Sequence, residues 1–413
     1  MPETSPHVVV VGAGLGGLAA ALALLRRGID TDVYEQAPTL GEIGAGVQIS
    51  ANGTAVLFAL GLEAQVRQHG VQVADKEIRL WNSGQTWSLF GGGGLPGGGR
   101  YAFPMFTMHR KDLHAMLVRA VRERKAEAIH LDRRCVGFRE HGSKVEVEFE
   151  RGASVTGDLL IGADGLHSRI RKQLFGEMTA TFTGQVVWRG LIPIEAMALR
   201  ERRLVGTNWV GPNAHVTCYP VQRGEMFNFV GQVDRTDWQI ESWVTEGTRE
   251  ECMADFSGWH ADVHRMIENS SQLYKWGLFL REPLDRWSVG RATLLGDAAH
   301  AMLPYLGQGA NMALEDGLVL ARCIESSRAQ PEAALRRYEV ARRERASEVV
   351  RASAAMAGTF HSAEMADSEG AQRYVQTQWN QETVRARYDW IYQYDANQVG
   401  LERATPAART APA

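Results

Sequence analysis

The sequence predicts an α/β protein on three observations: a strand–glycine turn–helix–strand unit at its start, a β-rich middle, and a helical end. His7 to Val11 is a short β-branched apolar run, as expected of a buried strand. Gly12 to Gly17 follow as a tight turn. Leu18 to Arg27 then repeat apolar residues at helical spacing and stop at Gly28. Thr31 to Glu35 reads as a second strand, which completes a βαβ unit.

Further along, Gly41, Gly44 and Gly46 mark a loop, and Gly91–Gly94 with Gly97–Gly99 mark a surface excursion. His109 to Arg124 has helical spacing, Val145 to Phe149 alternates like a strand, and Asp158 to Asp164 reads as a buried strand ending in a polar turn. From Phe182 to Val233, aromatic and β-branched runs such as VVWRGLI and AHVTCYPV predict an antiparallel sheet in a separate lobe. Helical segments are expected around Arg249–Phe256 and Ala261–Glu268. Ala292 to Leu295 is one more buried strand, leading into a glycine-punctuated loop and a helix from about Gly309. Residues 331–356 form a long charged helix, and a disordered tail is expected after Leu401.

Composition narrows the classes. The 413 residues suit two or three domains, and 45% apolar with 23% charged residues is ordinary for a globular chain. A net charge of −3 gives no basic surface for nucleic acid. The apolar stretch Leu15–Leu25 is one buried helix long, short of the roughly 20 residues of a membrane span. The start MPETSPH lacks the basic region of a secretory signal. Four scattered cysteines have neither CxxC nor metal-ligand spacing, so no metal is expected and a cytoplasmic setting is.

Gly12-Ala13-Gly14-Leu15-Gly16-Gly17 matches GxGxxG. Gly12 permits the turn, Gly14 lets the backbone approach a pyrophosphate, and Gly17 lets helix and strand pack closely. The helix N-terminus beginning near Leu15 favours an anion. Glu35 ends the next strand, where its carboxylate can accept ribose hydroxyls and would repel a 2′-phosphate. The loop by itself fits NAD or FAD equally.

Two later segments decide between them. One is Leu160-Ile161-Gly162-Ala163-Asp164-Gly165, with His167, Ser168, Arg169 and Arg171 after it. The other is Gly296-Asp297-Ala298-Ala299-His300, with Pro304, Gly307-Gln308-Gly309, Asn311 and Glu315-Asp316 after it. From about residue 7 to 350, the chain resembles the single-component FAD-dependent aromatic hydroxylases, such as the salicylate, 4-hydroxybenzoate, 3-hydroxybenzoate and 6-hydroxynicotinate monooxygenases. The resemblance implies a Rossmann-like FAD-binding domain of the para-hydroxybenzoate hydroxylase type with a β-sheet substrate domain and C-terminal helices. The FAD domain would take 1–180, discontinuously, with part of the substrate lobe inserted near 75–105. The substrate sheet would take 181–275, the rest of the FAD domain and the helices 276–400, and the tail 401–413.

The same resemblance implies tightly bound, non-covalent FAD, NADH or NADPH as a transient co-substrate, dioxygen, a small aromatic substrate, and a homodimer. Asp297 would hold the ribityl hydroxyls of FAD, and Asp164 would lie near the pyrophosphate. Arg110 would contact FAD, and Pro304, Gly307, Gly309, Ala310 and Asn311 would flank the flavin. Ser168 and Arg171 also read as the cap and first turn of a helix, and His300 as structural. Reduced FAD would turn O2 into a C4a-hydroperoxide that hydroxylates an electron-rich ring.

A phenol reacts faster as a phenolate, so the site needs a base, and histidine suits the task. His215, Thr217 and Tyr219 share one face of a strand. His215 would take the phenolic proton and Tyr219 would bind a substrate oxygen, with Gln48, Pro304 and Tyr305 walling the pocket. Trp188 reads as core. A halogenase or reductase of the same fold is the competing reading, but Trp188-Arg189-Gly190-Leu191-Ile192-Pro193 lacks the second tryptophan of the halogenase motif WxWxIP.

Overall fold

The computed structural model describes residues 5–41, 46–73, 75–89, 101–198, 202–238, 240–242 and 245–401. The expected excursion at Gly91–Gly99, Gly44 of the earlier loop, and the tail from 402 onward lie outside them.

The N-terminal unit forms as expected, with the helix starting earlier, at Leu15–Leu25 between strands Val8–Val11 and Thr31–Tyr34. These strands belong to a six-stranded sheet in the order 288–289, 292–294, 159–162, 8–11, 31–34, 129–130. Its pairs are parallel except the short 288–289 edge, which runs antiparallel. Val8–Val11 and Leu159–Gly162 are buried along their whole length, which is why their sequences carry no polar alternation. The helices Arg110–Arg124 and Gly309–Glu325 both pack against Leu15–Leu25, and both begin where the sequence placed them.

A seven-stranded sheet forms the second layer, in the order 274–280, 181–193, 226–234, 214–221, 205–211, 75–80, 86–88. It is antiparallel with one correction: Val205–Gly211 pairs in parallel with Asp75–Leu80. That strand comes from far earlier in the chain, so no hairpin dictates its direction. One face of the sheet packs Trp188, Val216, Phe227 and Phe229 around the helices Arg249–Asp255 and Ala261–Glu268. Ile78, Leu80, Val187 and Val210 face the other way, toward Tyr305, Leu306 and Phe360. A small sheet joins the layers, in which Gly46–Ile49 pairs with Phe106–His109.

Beneath the Pro304–Leu306 turn lies a buried charge cluster. Arg342, on the Pro331–Ala355 helix, places Nη1 2.6 Å from Glu315 and Nε 2.8 Å from Asp316. Arg345 lies 2.9 Å from Glu315, and His300 Nε2 lies 2.5 Å from Asp316. Burial alone would raise the Asp316 carboxyl, but His300 and Arg342 hold it at about 2. Asn52 donates to Glu315 and to Gln308, and Gln308 donates to Ser50. The cluster thereby fastens the Ala51–Ala59 helix to the loop that follows Gly296.

Replacing Arg342 with Met removes the cation that two buried carboxylates share and leaves only Arg345 on Glu315 and His300 on Asp316. We expect a loss of about 3–5 kcal/mol, read as a lowered urea midpoint at pH 7; an unchanged midpoint refutes the role assigned to the cluster.

Candidate active site

The first glycine loop is built for close approach. Gly12 has φ +107°, and a Cβ there would sit 2.3 Å from the Ala163 carbonyl oxygen. A Cβ on Gly17 would sit 2.0 Å from Gly12 O, and one on Gly16 2.6 Å from Leu295. Gly16 is therefore a packing glycine too, which the motif does not announce. At Gly14 a Cβ would meet nothing within 4 Å. The Leu15–Leu25 helix, which starts at that opening, has no side-chain cap and no acidic residue in its first turn, so among the described residues no side chain caps its terminal N–H groups. Glu35 lies beside it and accepts from Ala13 N at 2.8 Å and Ala37 N at 2.9 Å. His114 meets Ala13 O at 2.8 Å and lines a cleft of about 500 Å³ with Leu40, Lys111 and Val118. Arg110 opens the adjoining helix, half-buried.

The second glycine segment behaves differently. Gly296 turns with φ +63°, and Asp297 follows, exposed, with no hydrogen bond to a described residue. A cap role for Asp297 is thus absent. Pro304 is exposed, Gly307 is left-handed at φ +63°, and Gly309 and Ala310 open the next helix. Asn311 is buried and fully engaged: Oδ1 accepts from Ser50 N at 3.2 Å, and Nδ2 donates to Gln48 O at 3.0 Å and Gly307 O at 2.9 Å. Its side chain fastens the Gln48 strand to this loop rather than reaching outward.

Asp164 is also turned inward. It accepts from Ser168 Oγ at 2.5 Å and Arg169 N at 2.7 Å, capping the Arg169–Phe175 helix, and burial pushes its carboxyl above the ordinary value. Ser168 caps as expected by accepting from Arg171 N, and Arg171 reaches across to Ala298 O at 3.3 Å, tying the two aspartate segments together.

On the inner face of the seven-stranded sheet, His215 and Tyr219 lie where alternation puts them, in distinct surroundings. The His215 ring stacks on Phe360 at 4.6 Å and lies 5.8 Å from Tyr305. It is 1% exposed, and burial pulls its pKa well below 6.5. Tyr219 is buried against Gly46, where a Cβ would come within 2.5 Å of its ring; burial raises its phenol, with Arg189 working against that. Asn228 Oδ1 accepts from Gly46 N at 2.7 Å. Asn228 Nδ2 and Gln232 Oε1, on the strand beside them, are buried without a hydrogen-bond partner among the described residues. Gln48 is half-buried beside Gly307.

The family described as FAD binding domain matches residues 5–353. The chain is 35% identical to a 3-amino-4-hydroxybenzoate 2-monooxygenase of Streptomyces platensis over 396 residues, covering 96% of this chain and 98% of that protein. It is 35% identical to the 3-hydroxybenzoate 6-hydroxylase of Polaromonas naphthalenivorans, covering 93% and 95%. Among solved structures, Klebsiella pneumoniae HpxO complexed with FAD and uric acid superposes with a TM-score of 0.81 at 29% identity, covering 94% and 97%. The chain belongs to the FAD-dependent aromatic hydroxylases.

In this hydroxylase the open space at Gly14, the uncapped helix terminus and the exposed Asp297 carboxylate, without a hydrogen bond to a described residue, suit FAD. Sequence reasoning missed the partners of His215. His361 lies 146 positions away in a stretch without a motif, yet its ring is 5.0 Å from that of His215. It also passed over Arg189, which is buried with its guanidinium 5.4 Å from the Tyr274 and Trp276 rings. A lone arginine in a buried strand was the available signal.

Gly12→Val should fail to fold, because its Cβ strikes backbone. Gly14→Val should fold, with a melting midpoint like the FAD-free parent, and purify colourless. A yellow Gly14→Val protein with parental flavin content would contradict the assigned opening.

Proposed function

We propose that the hydroxylase uses NADH or NADPH and O2 to insert one oxygen atom into the ring of a phenolic aromatic acid of the hydroxybenzoate type. The second oxygen atom leaves as water. The names of the relatives, 3-amino-4-hydroxybenzoate and 3-hydroxybenzoate monooxygenases, support that substrate class. The observation that carries the reading is His215: a buried imidazole, neutral at pH 7, on the sheet face that also holds the unpartnered Asn228 and Gln232 groups.

FAD, once reduced by the nicotinamide, supplies the electrons that activate O2. The chain's own residues hold and orient. Gly12, Gly14, Leu15 and Gly17 would cradle the pyrophosphate at the helix terminus, and Glu35 would take the adenosine ribose. Asp297 would hold the ribityl chain, Asp164 would steady the segment below it, and Arg110 would meet the nucleotide. Pro304, Gly307, Gly309, Ala310 and the backbone of Asn311 would lie along the flavin, with Gln48 opposite. The positive end of the Gly309–Glu325 helix favours negative charge on the reduced ring system.

On the substrate side, His215 would take the phenolic proton. Burial lowers its pKa, so the imidazole is unprotonated throughout the neutral range and would hold a transferred proton only transiently. Tyr219 and the nearby Arg189 would meet the carboxylate. Tyr305 is held by Gln185 and walls the pocket beside His215.

The test is a panel of 3-amino-4-hydroxybenzoate, 3-hydroxybenzoate, salicylate and 6-hydroxynicotinate, run with NADH and with NADPH, with products identified by mass. At least one compound should gain one oxygen atom. Nicotinamide oxidation that yields only hydrogen peroxide with every compound sinks the substrate class. His215→Ala should retain FAD while hydroxylation falls about 100- to 10,000-fold; parallel loss of both would make His215 structural.

A further inference from the structure

If His215 takes a proton, that proton needs a way out, because the ring is 1% exposed. His215 Nδ1 lies 2.7 Å from His361 Nε2, and His361 Nδ1 lies 2.7 Å from Asp234 Oδ1. The His361 side chain is 4% exposed, but the Asp234 carboxylate is 40% exposed. The three groups form an unbroken hydrogen-bonded row from a buried ring to solvent. We propose that His361 and Asp234 are the proton exit of this hydroxylase, carrying the substrate's phenolic proton from His215 to bulk water.

The direction of the row follows from what each atom can do. An ionised carboxylate only accepts, so His361 Nδ1 carries the hydrogen and donates to Asp234. In neutral His361, Nε2 then holds a lone pair and accepts from His215 Nδ1–H. That leaves His215 Nε2 with a lone pair, and Nε2 has no partner among the described residues. Asp234 thus sets the tautomer of His361, which sets that of His215, so the free nitrogen is a base. Gln185 donates to the same Asp234 oxygen at 2.9 Å and holds it in place. Burial would raise the Asp234 carboxyl, but the bonds from His361 and Gln185 bring it below the usual range, which keeps it an acceptor.

The transfer balances without any electron acceptor. The phenol O–H bond breaks as His215 Nε2 gains the proton. His215 Nδ1–H passes to His361 Nε2, and His361 Nδ1–H passes to Asp234 and water. Reversal of these steps returns a proton to the product oxygen and resets both rings. Other titratable groups around the row are few. Tyr305 faces His215 from the loop, and burial keeps its phenol protonated. Arg235, next to Asp234, is turned away onto Asp237 and Asp255.

The inference rests on the reading of His215 as the base, and the test separates the two. Turnover is measured on the FAD-loaded enzyme with 3-amino-4-hydroxybenzoate, or with 3-hydroxybenzoate where the panel selects it. His361→Ala should lower kcat about 10- to 100-fold, leave the substrate Kd from flavin fluorescence unchanged, and recover when imidazole is added. Asp234→Asn, a change at a partly exposed position that spares the packing, should lower kcat and enlarge its solvent deuterium isotope effect. Wild-type kcat in both variants, with His215→Ala inactive, overturns the exit and leaves the base standing. Full activity in His215→Ala overturns both. A His361→Ala loss that imidazole does not repair, with Asp234→Asn at wild-type rate, makes His361 structural and also overturns the proposal. Should His361→Ala not fold, Asp234→Asn decides alone.

Discussion

The ion cluster of Glu315, Asp316, Arg342 and Arg345 sets the geometry on which both halves of the site rely. Two carboxylates and two guanidiniums in a water-poor interior are stable only when each meets its partners at short range. That requirement fixes the Gly309–Glu325 helix against the Pro331–Ala355 helix. Through His300 it fixes the turn after the second glycine segment, and through Asn52 and Gln308 the loop that carries Pro304 and Tyr305. A cluster of this kind adds little net stability over an apolar core, but it excludes other registers of the same elements.

The seven-stranded sheet does the complementary work. Its outer face is sealed by Trp188, Phe227, Phe256 and their neighbours, so every second side chain is forced inward. Period-two alternation is what sends His215, Thr217 and Tyr219 to one side together, and the parallel partner Asp75–Leu80 adds Ile78 and Leu80 to the same face. The inner surface is apolar around a few polar groups. A buried amide nitrogen at Asn228 and a buried amide oxygen at Gln232 cost free energy unless something meets them.

The N-terminal unit was legible because its chemistry is local. A βαβ unit with GxGxxG is written in consecutive residues, and so are the two aspartate-glycine segments. The Arg110 and Gly309 helices began where the spacing placed them for the same reason. Roles that depend on long-range packing were not legible. Asp164 and Asn311 stand at motif positions, yet their side chains serve the protein itself, one as a helix cap and one as a clamp on Gln48 and Ser50. The motif spacing gives Gly16 no role, yet Leu295 and Ala313 leave no room for a Cβ there. The parallel strand at 75–80 and the pairing of His215 with His361 join segments more than a hundred residues apart, and no periodicity encodes such a meeting.

The family match ends at residue 353, whereas Phe360 and His361, which enclose His215, come just after it. The surroundings of His215 are thus completed from the C-terminal region, which the match to the Streptomyces platensis monooxygenase, over 96% of this chain, also spans. The same C-terminal region also reaches the ion cluster, because Arg345 donates to the Trp390 and Ile391 carbonyls and its guanidinium lies 3.8 Å from the Tyr394 ring centroid. One terminal segment therefore bears on two distant places at once, the ring beside His215 and the buried charges under the flavin loop, so a change in it is felt at both.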